Sequence, residues 1–189
     1  YGLTIASRGT LRQQAMLAVS APLKRNVMRH ESALMFSFTI FADYFQFVLM
    51  DETSQDDFSV IWTEEALYRM LAVAPLAICP GTLRNVDVAV EIEVLDRPPA
   101  IDLSSWDNAV EASLSVPSGR LVVMSCTGYL PDAPRIEVTP GTYQVLSLAG
   151  GIESIKNEWE PADDLYRVYL WPGAARKPHI LKRWQRADA

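Results

Sequence analysis

MFSFTIFADYFQFVLM, from Met35 to Met50, runs straight into DETSQDDFSVIWTEEALYRMLAVAP, from Asp51 to Pro75. Phe36, Phe38 and Ile40 alternate with Ser37 and Thr39, the period-two pattern of a strand with one buried face. The alternation breaks near Ala42-Asp43 and resumes through Phe45, Phe47 and Leu49, which predicts two strands or one strand with a bulge. Asp51, Glu52, Asp56 and Asp57 then mark an acidic loop. Thr63 is a good N-cap, and Glu64 and Glu65 follow it where the helix dipole favours negative charge. Ala66, Leu67, Met70, Leu71 and Ala74 recur at helical spacing up to Pro75, so a short helix is expected over 63–74.

Working outward, the chain continues as strands. Val86, Val88, Val90, Ile92 and Val94 alternate with Asp87, Ala89, Glu91 and Glu93, one face dry and one wet, as in an antiparallel sheet. Pro117-Ser118-Gly119 reads as a hairpin turn between 109–116 and 121–126. Short strands follow at 135–138, 142–149 and 165–171, with an acidic loop holding Trp159 before the last. No βαβ alternation occurs. The expected class is all-β: a mainly antiparallel β-sandwich of seven to eight strands with one short helix.

With 189 residues, one domain with a sizeable core is expected at 34–173, between a poorly ordered basic extension over 1–33 and a basic tail over 174–189. The chain opens on Tyr1 rather than Met, so its natural start is expected elsewhere, upstream or at Met28 or Met35. The net charge of −6 conceals a division: residues 34–173 hold seven basic and twenty-one acidic side chains, a formal charge near −14. Such a body repels nucleic acid and attracts basic surfaces. No apolar run has the length of a membrane span, and two cysteines, Cys79 and Cys126, read as small buried residues of a reducing, cytoplasmic compartment.

Catalysis finds little support. The two histidines, His30 and His179, lie in the expected tails, away from any Ser or Cys nucleophile in the body. Paired carboxylates such as Asp56/Asp57 and Asp163/Asp164 could serve glycoside hydrolysis, but an acidic chain offers many such pairs by chance. The Asp51–Asp57 loop lacks the spacing and glycine of an EF-hand. No catalytic residues, metal ligands or cofactor are assigned. Trp62, Trp106 and Trp171 fall at element ends, where they either plug the core or form a stacking platform for a sugar or a partner.

Four short motifs occur in order: Tyr44-x-Gln46-Phe47, Trp62-Thr63-x-Glu65-Ala66, Pro140-Gly141-x-Tyr143-Gln144 and Asp164-x-Tyr166. In order and spacing they resemble the competence protein J family, small inhibitors of a DNA-entry nuclease, over about residues 42–170. This chain departs from that pattern in its greater length, an insertion around Pro98–Trp106 and a Trp171-Pro172-Gly173 ending. The resemblance implies a non-enzymatic inhibitor or immunity-type partner of a nuclease or other basic protein. Charge then nominates Asp51, Glu52, Asp56, Asp57, Glu158, Glu160, Asp163 and Asp164 as the partner-binding residues. A small-ligand or carbohydrate-binding sandwich is the alternative.

Overall fold

The computed structural model of the chain describes residues 26–30 and 33–185. The opening stretch forms β2 (Ala33–Phe41), preceded by an edge strand β1 (Asn26–His30), and then β3 (Phe47–Asp51). A tight turn at Asp43–Phe45 separates β2 from β3, where the alternation breaks. The helix α1 (Glu64–Arg69) is half the expected length. Thr63 caps it through a bond from the Ala66 backbone N–H, and Met70 ends it in the left-handed conformation (φ 57°). Leu71 onward carries no polar side to face water, and the chain turns into β4 (Leu71–Ala74), which pairs with β5 (Ala77–Pro80). Of the five residues expected on the apolar face of one helix, three lie outside α1, and Leu67 within it is exposed.

The remaining strands are β6 (Asp87–Leu95), β7 (Asn108–Val116), β8 (Arg120–Ser125), β9 (Arg135–Glu137), β10 (Gly141–Gly150), β11 (Leu165–Pro172) and β12 (His179–Lys182). Gly119, at φ 72°, supplies the left-handed residue of the β7–β8 hairpin. Two sheets result among the described residues, in the orders β1-β2-β6-β11-β10-β7-β12 and β4-β5-β3-β8-β9. The sandwich is therefore all-β, but not wholly antiparallel: β11 runs parallel to β6, with Leu165 opposite Ala89 and Leu170 opposite Val94. Both ends of the large sheet extend past residues 34–173, through β1 and β12. Expectations for residues 1–25 and 186–189 lie outside the described residues.

The main core lies between the sheets, built from Phe36, Phe38, Ile40, Phe47, Leu49, Val90, Ile92, Leu114, Leu121, Val145, Tyr166 and Leu170 among others. Two smaller clusters cover the outer faces. Phe58, Ile61, Trp62 and Ala66 pack the 52–66 segment over Val48, Met50, Ala72 and Val122 of the small sheet. Ile101, Leu103 and Trp106 fold over Leu146, Leu148, Tyr169 and Trp171 of the large one. Trp106 and Trp171 are thus buried wedges, leaving Trp62, half-buried, as the one member of the expected platform with a face toward solvent.

Candidate protein-binding surface

β3 separates the two acidic segments, with Asp51 at one end and Gln46 just before the other. The eight nominated carboxylates therefore do not form one patch.

At the Asp51 end, the carboxylates are mostly structural. Asp51 is fully buried and accepts four hydrogen bonds, from the Thr53 N–H (2.9 Å) and hydroxyl (2.5 Å) and from the Ser118 N–H (2.8 Å) and hydroxyl (2.6 Å). Burial pushes its pKa up, but the bonds from Ser118 and Thr53 together outweigh it and hold the group below the ordinary carboxylate range. Glu52 pairs with Arg120 at 2.7 Å and approaches Arg135 at 4.0 Å. Asp56 accepts from Ser54 Oγ and from the Leu76 N–H, pinning the acidic loop to the β4–β5 turn. Asp57 alone of this group is exposed, its carboxylate bonded by Ser59 and lowered in pKa chiefly by the Ser59 hydroxyl.

At the other end, Asp164 is buried and paired with buried Arg84 at 2.5 Å. Arg84 Nη1 also donates to the Glu160 carbonyl, and the Asn85 N–H donates to the Glu158 carbonyl (3.3 Å). This interior pair thereby anchors the loop that holds Glu158 half-buried and Trp159, Glu160 and Asp163 exposed. Tyr166 lies beside the pair, and burial, then the charge of Asp164, raise its phenol far above the ordinary range. Asp51 and Asp164 are accordingly interior groups rather than surface charges. Sequence composition could not separate them from Asp57 and Asp163, because a loop carboxylate shows no burial until its donors are in place.

The same end carries a pocket of about 390 Å³ lined by Tyr44, Phe45, Trp62, Leu67, Met70, Gly81, Thr82 and Leu83. Three bonds assemble it: Trp62 Nε1 donates to Gln46 Oε1 (2.7 Å), the Thr82 N–H to the Phe45 carbonyl (2.7 Å) and the Gly81 N–H to the Met70 carbonyl (2.9 Å). The absence of a side chain at Gly81 lets the Trp62 ring lie close, since a Cβ there would meet it at 3.1 Å. Tyr44 and Leu67 project outward, 68% and 62% exposed. The motif residues quoted from the sequence now have partners: Gln46 with Trp62, Thr63 with the helix start, Tyr143 Oη with the Thr139 carbonyl at 2.6 Å, and Asp164 with Arg84. Sequence reasoning missed Tyr44, Phe45 and Leu67 as surface residues because aromatic and leucine side chains read as core.

A second, wider groove of about 910 Å³ runs along β2 and β6 beneath the loop after β8, lined by Ser37, Thr39, Phe41, Glu91, Tyr129 and Asp132 among others. Among the described residues no three metal-ligating side chains converge, and no helix is long and apolar enough to cross a membrane. Burial raises both thiols, Cys79 strongly and Cys126 less, so neither is primed as a nucleophile at neutral pH.

No family model matches the chain, and no curated protein matches it in sequence. Two solved structures are similar. One is ComJ, inhibitor of the DNA-degrading activity of NucA, from Bacillus subtilis: TM-score 0.57, 17% identity, 79% of this chain and 99% of that one. The other is the product of crocagin biosynthetic gene J: TM-score 0.49, 17% identity, 80% of this chain and 99% of that one. The superposition takes in nearly the whole of ComJ, and the chain is distantly ComJ-like in fold.

Proposed function

We propose that the protein is a non-enzymatic binding protein that inhibits a nuclease or another basic protein by occupying the surface that would receive nucleic acid. The observation that carries this reading is the fold shared with ComJ, itself an inhibitor of NucA, across 99% of that chain. The charge of the body, near −14 over residues 34–173, agrees with it, because an enzyme that binds a polyanion presents positive potential to an acidic inhibitor. Glu158, Glu160 and Asp163 at one end and Asp57 at the other are the nominated carboxylates left to act as surface charge, with Glu52 partly neutralised by Arg120. A carbohydrate platform is less well served, since Trp106 and Trp171 are buried.

The test is titration of the full chain into DNA-degradation reactions run by NucA and by the nucleases of the native host. Inhibition with one-to-one stoichiometry is expected for at least one of them. Its affinity should fall about tenfold or more from low to high ionic strength, and again in a Glu158→Gln/Glu160→Gln/Asp163→Asn variant. Binding indifferent to salt, or no inhibition of any of these enzymes, would overturn the proposal.

A further inference from the structure

We infer that the pocket between the Tyr44–Phe45 turn and α1 is the anchor point of the interface, taking one aromatic or aliphatic side chain that its partner protein flanks with Lys or Arg. The inference rests on the binding-protein reading above and names where and how the partner is gripped.

The first ground is exposure. Tyr44, Phe45 and Leu67 stand in solvent around a half-buried Trp62, although each is large and apolar. Apolar side chains gathered around a pocket mark interaction sites on soluble proteins, whereas isolated ones do not. The second is backbone conformation. The non-glycine residues with positive φ among those described are Tyr44 (54°), Phe45 (59°) and Met70 (57°), and all three line this pocket. Left-handed backbone disfavours L side chains, and glycine or asparagine would fit there at lower cost. The chain nevertheless keeps two aromatic rings in that conformation, which aims them at the pocket mouth.

Charge identifies the occupant. Glu64 and Glu65, both exposed, begin the helix that carries Leu67, and the loop bearing Glu158 and Glu160 is fixed to Arg84 and Asn85, next to Leu83 of the pocket wall. The cations on or against these elements are fewer than the carboxylates: Arg69, whose Nε is bonded to the Leu71 carbonyl, Arg84, paired with Asp164, Lys156, and Arg183, which stacks on the Tyr68 ring at 3.7 Å and donates to its hydroxyl. An anionic membrane or nucleic acid would be repelled by that rim, and a neutral small molecule would leave it unpaired. A basic protein segment with an apolar residue at its centre satisfies both parts, in the manner of a buried anchor within a charged surround.

The experiment pans the full chain against a phage-displayed library of random short peptides, then repeats the panning with Leu67→Asp and with Tyr44→Gly. The wild type is expected to enrich sequences with an aromatic or aliphatic residue between Lys or Arg. Leu67→Asp should abolish the enrichment, and Tyr44→Gly should weaken the best synthetic peptide about thirtyfold, as loss of an interfacial hot spot does. Tyr44→Gly relieves left-handed strain, so its melting temperature should equal or exceed the wild type, which separates lost binding from lost folding. No enrichment, or enrichment unchanged in both variants, would overturn the inference. Enrichment without inhibition of any nuclease would keep the pocket and discard the inhibitor; inhibition unchanged by both substitutions would keep the inhibitor and discard the pocket.

Discussion

Asp51 and Asp57 show how differently two carboxylates of one acidic segment behave, the first buried and the second exposed. Asp51 acts as a staple. Its four donors come from Thr53 beside it and from Ser118 in the β7–β8 hairpin, so it staples a loop to a turn 67 residues away in sequence. Asp51→Ala strands buried donors and should cost about 2–3 kcal/mol in urea unfolding at neutral pH. Because its folded pKa is depressed, this contribution is present above the ordinary carboxylate range and is lost as pH falls below about 4. The wild type should therefore lose stability in that window by more than the Asp51→Ala variant does, as unfolding at pH 7 and pH 3 would reveal. Asp164 poses the complementary case. Asp164→Asn leaves Arg84 charged and buried without its counter-ion, an expected loss of about 3–5 kcal/mol, whereas Arg84→Met with Asp164→Leu should recover most of it. Tyr44→Gly should move stability the other way, by up to about 1 kcal/mol, because left-handed backbone suits glycine.

At the scale of elements, β6 and β7 were legible because they alternate apolar with polar residues, and β11 because it is a short apolar and aromatic run closed by Pro172, with Pro and Gly in the turns between strands. The helix was legible in its start and not in its end. Thr63-Glu64-Glu65 is a local signal and needs nothing beyond the first turn, and Thr63→Ala should cost about 1 kcal/mol by removing the cap. Leu71–Ala74 fits a helix face by spacing and a fully buried strand by composition; pairing with β5 decided between them, and that pairing is a tertiary fact. β12 escaped notice for the opposite reason. His179–Lys182 is a short, half-exposed edge strand inside a basic tail, with too few apolar residues to announce itself. The pocket escaped because its apolar residues follow the same rule as core residues until α1 stops after Arg69 and leaves Leu67 outside.

At the scale of the molecule, the two ends of β3 have different chemistry. One is an internally neutralised junction of Asp51, Glu52, Ser118 and Arg120; the other is an apolar mouth bordered by carboxylates. Charge reversal at the second end should therefore weaken partner binding more than the same change at the first. Asp57→Lys compared with Glu160→Lys in one salt series measures that difference, and equal effects would show that the field of the whole body, not a local rim, governs association.

The parallel pairing of β6 with β11 bears on how the chain comes to be folded. Strands 76 residues apart, as Arg167 is from Glu91, must meet before the large sheet closes, and the Glu91–Arg167 ion pair forms at that seam. During synthesis β6 waits with an unpaired, Val- and Ile-rich flank until residues beyond 165 emerge, and loop closure over that distance is slow. A nascent chain halted before Leu165 is thus expected to be a chaperone client and prone to aggregate, and refolding of the complete chain should take place on the slow side for its size.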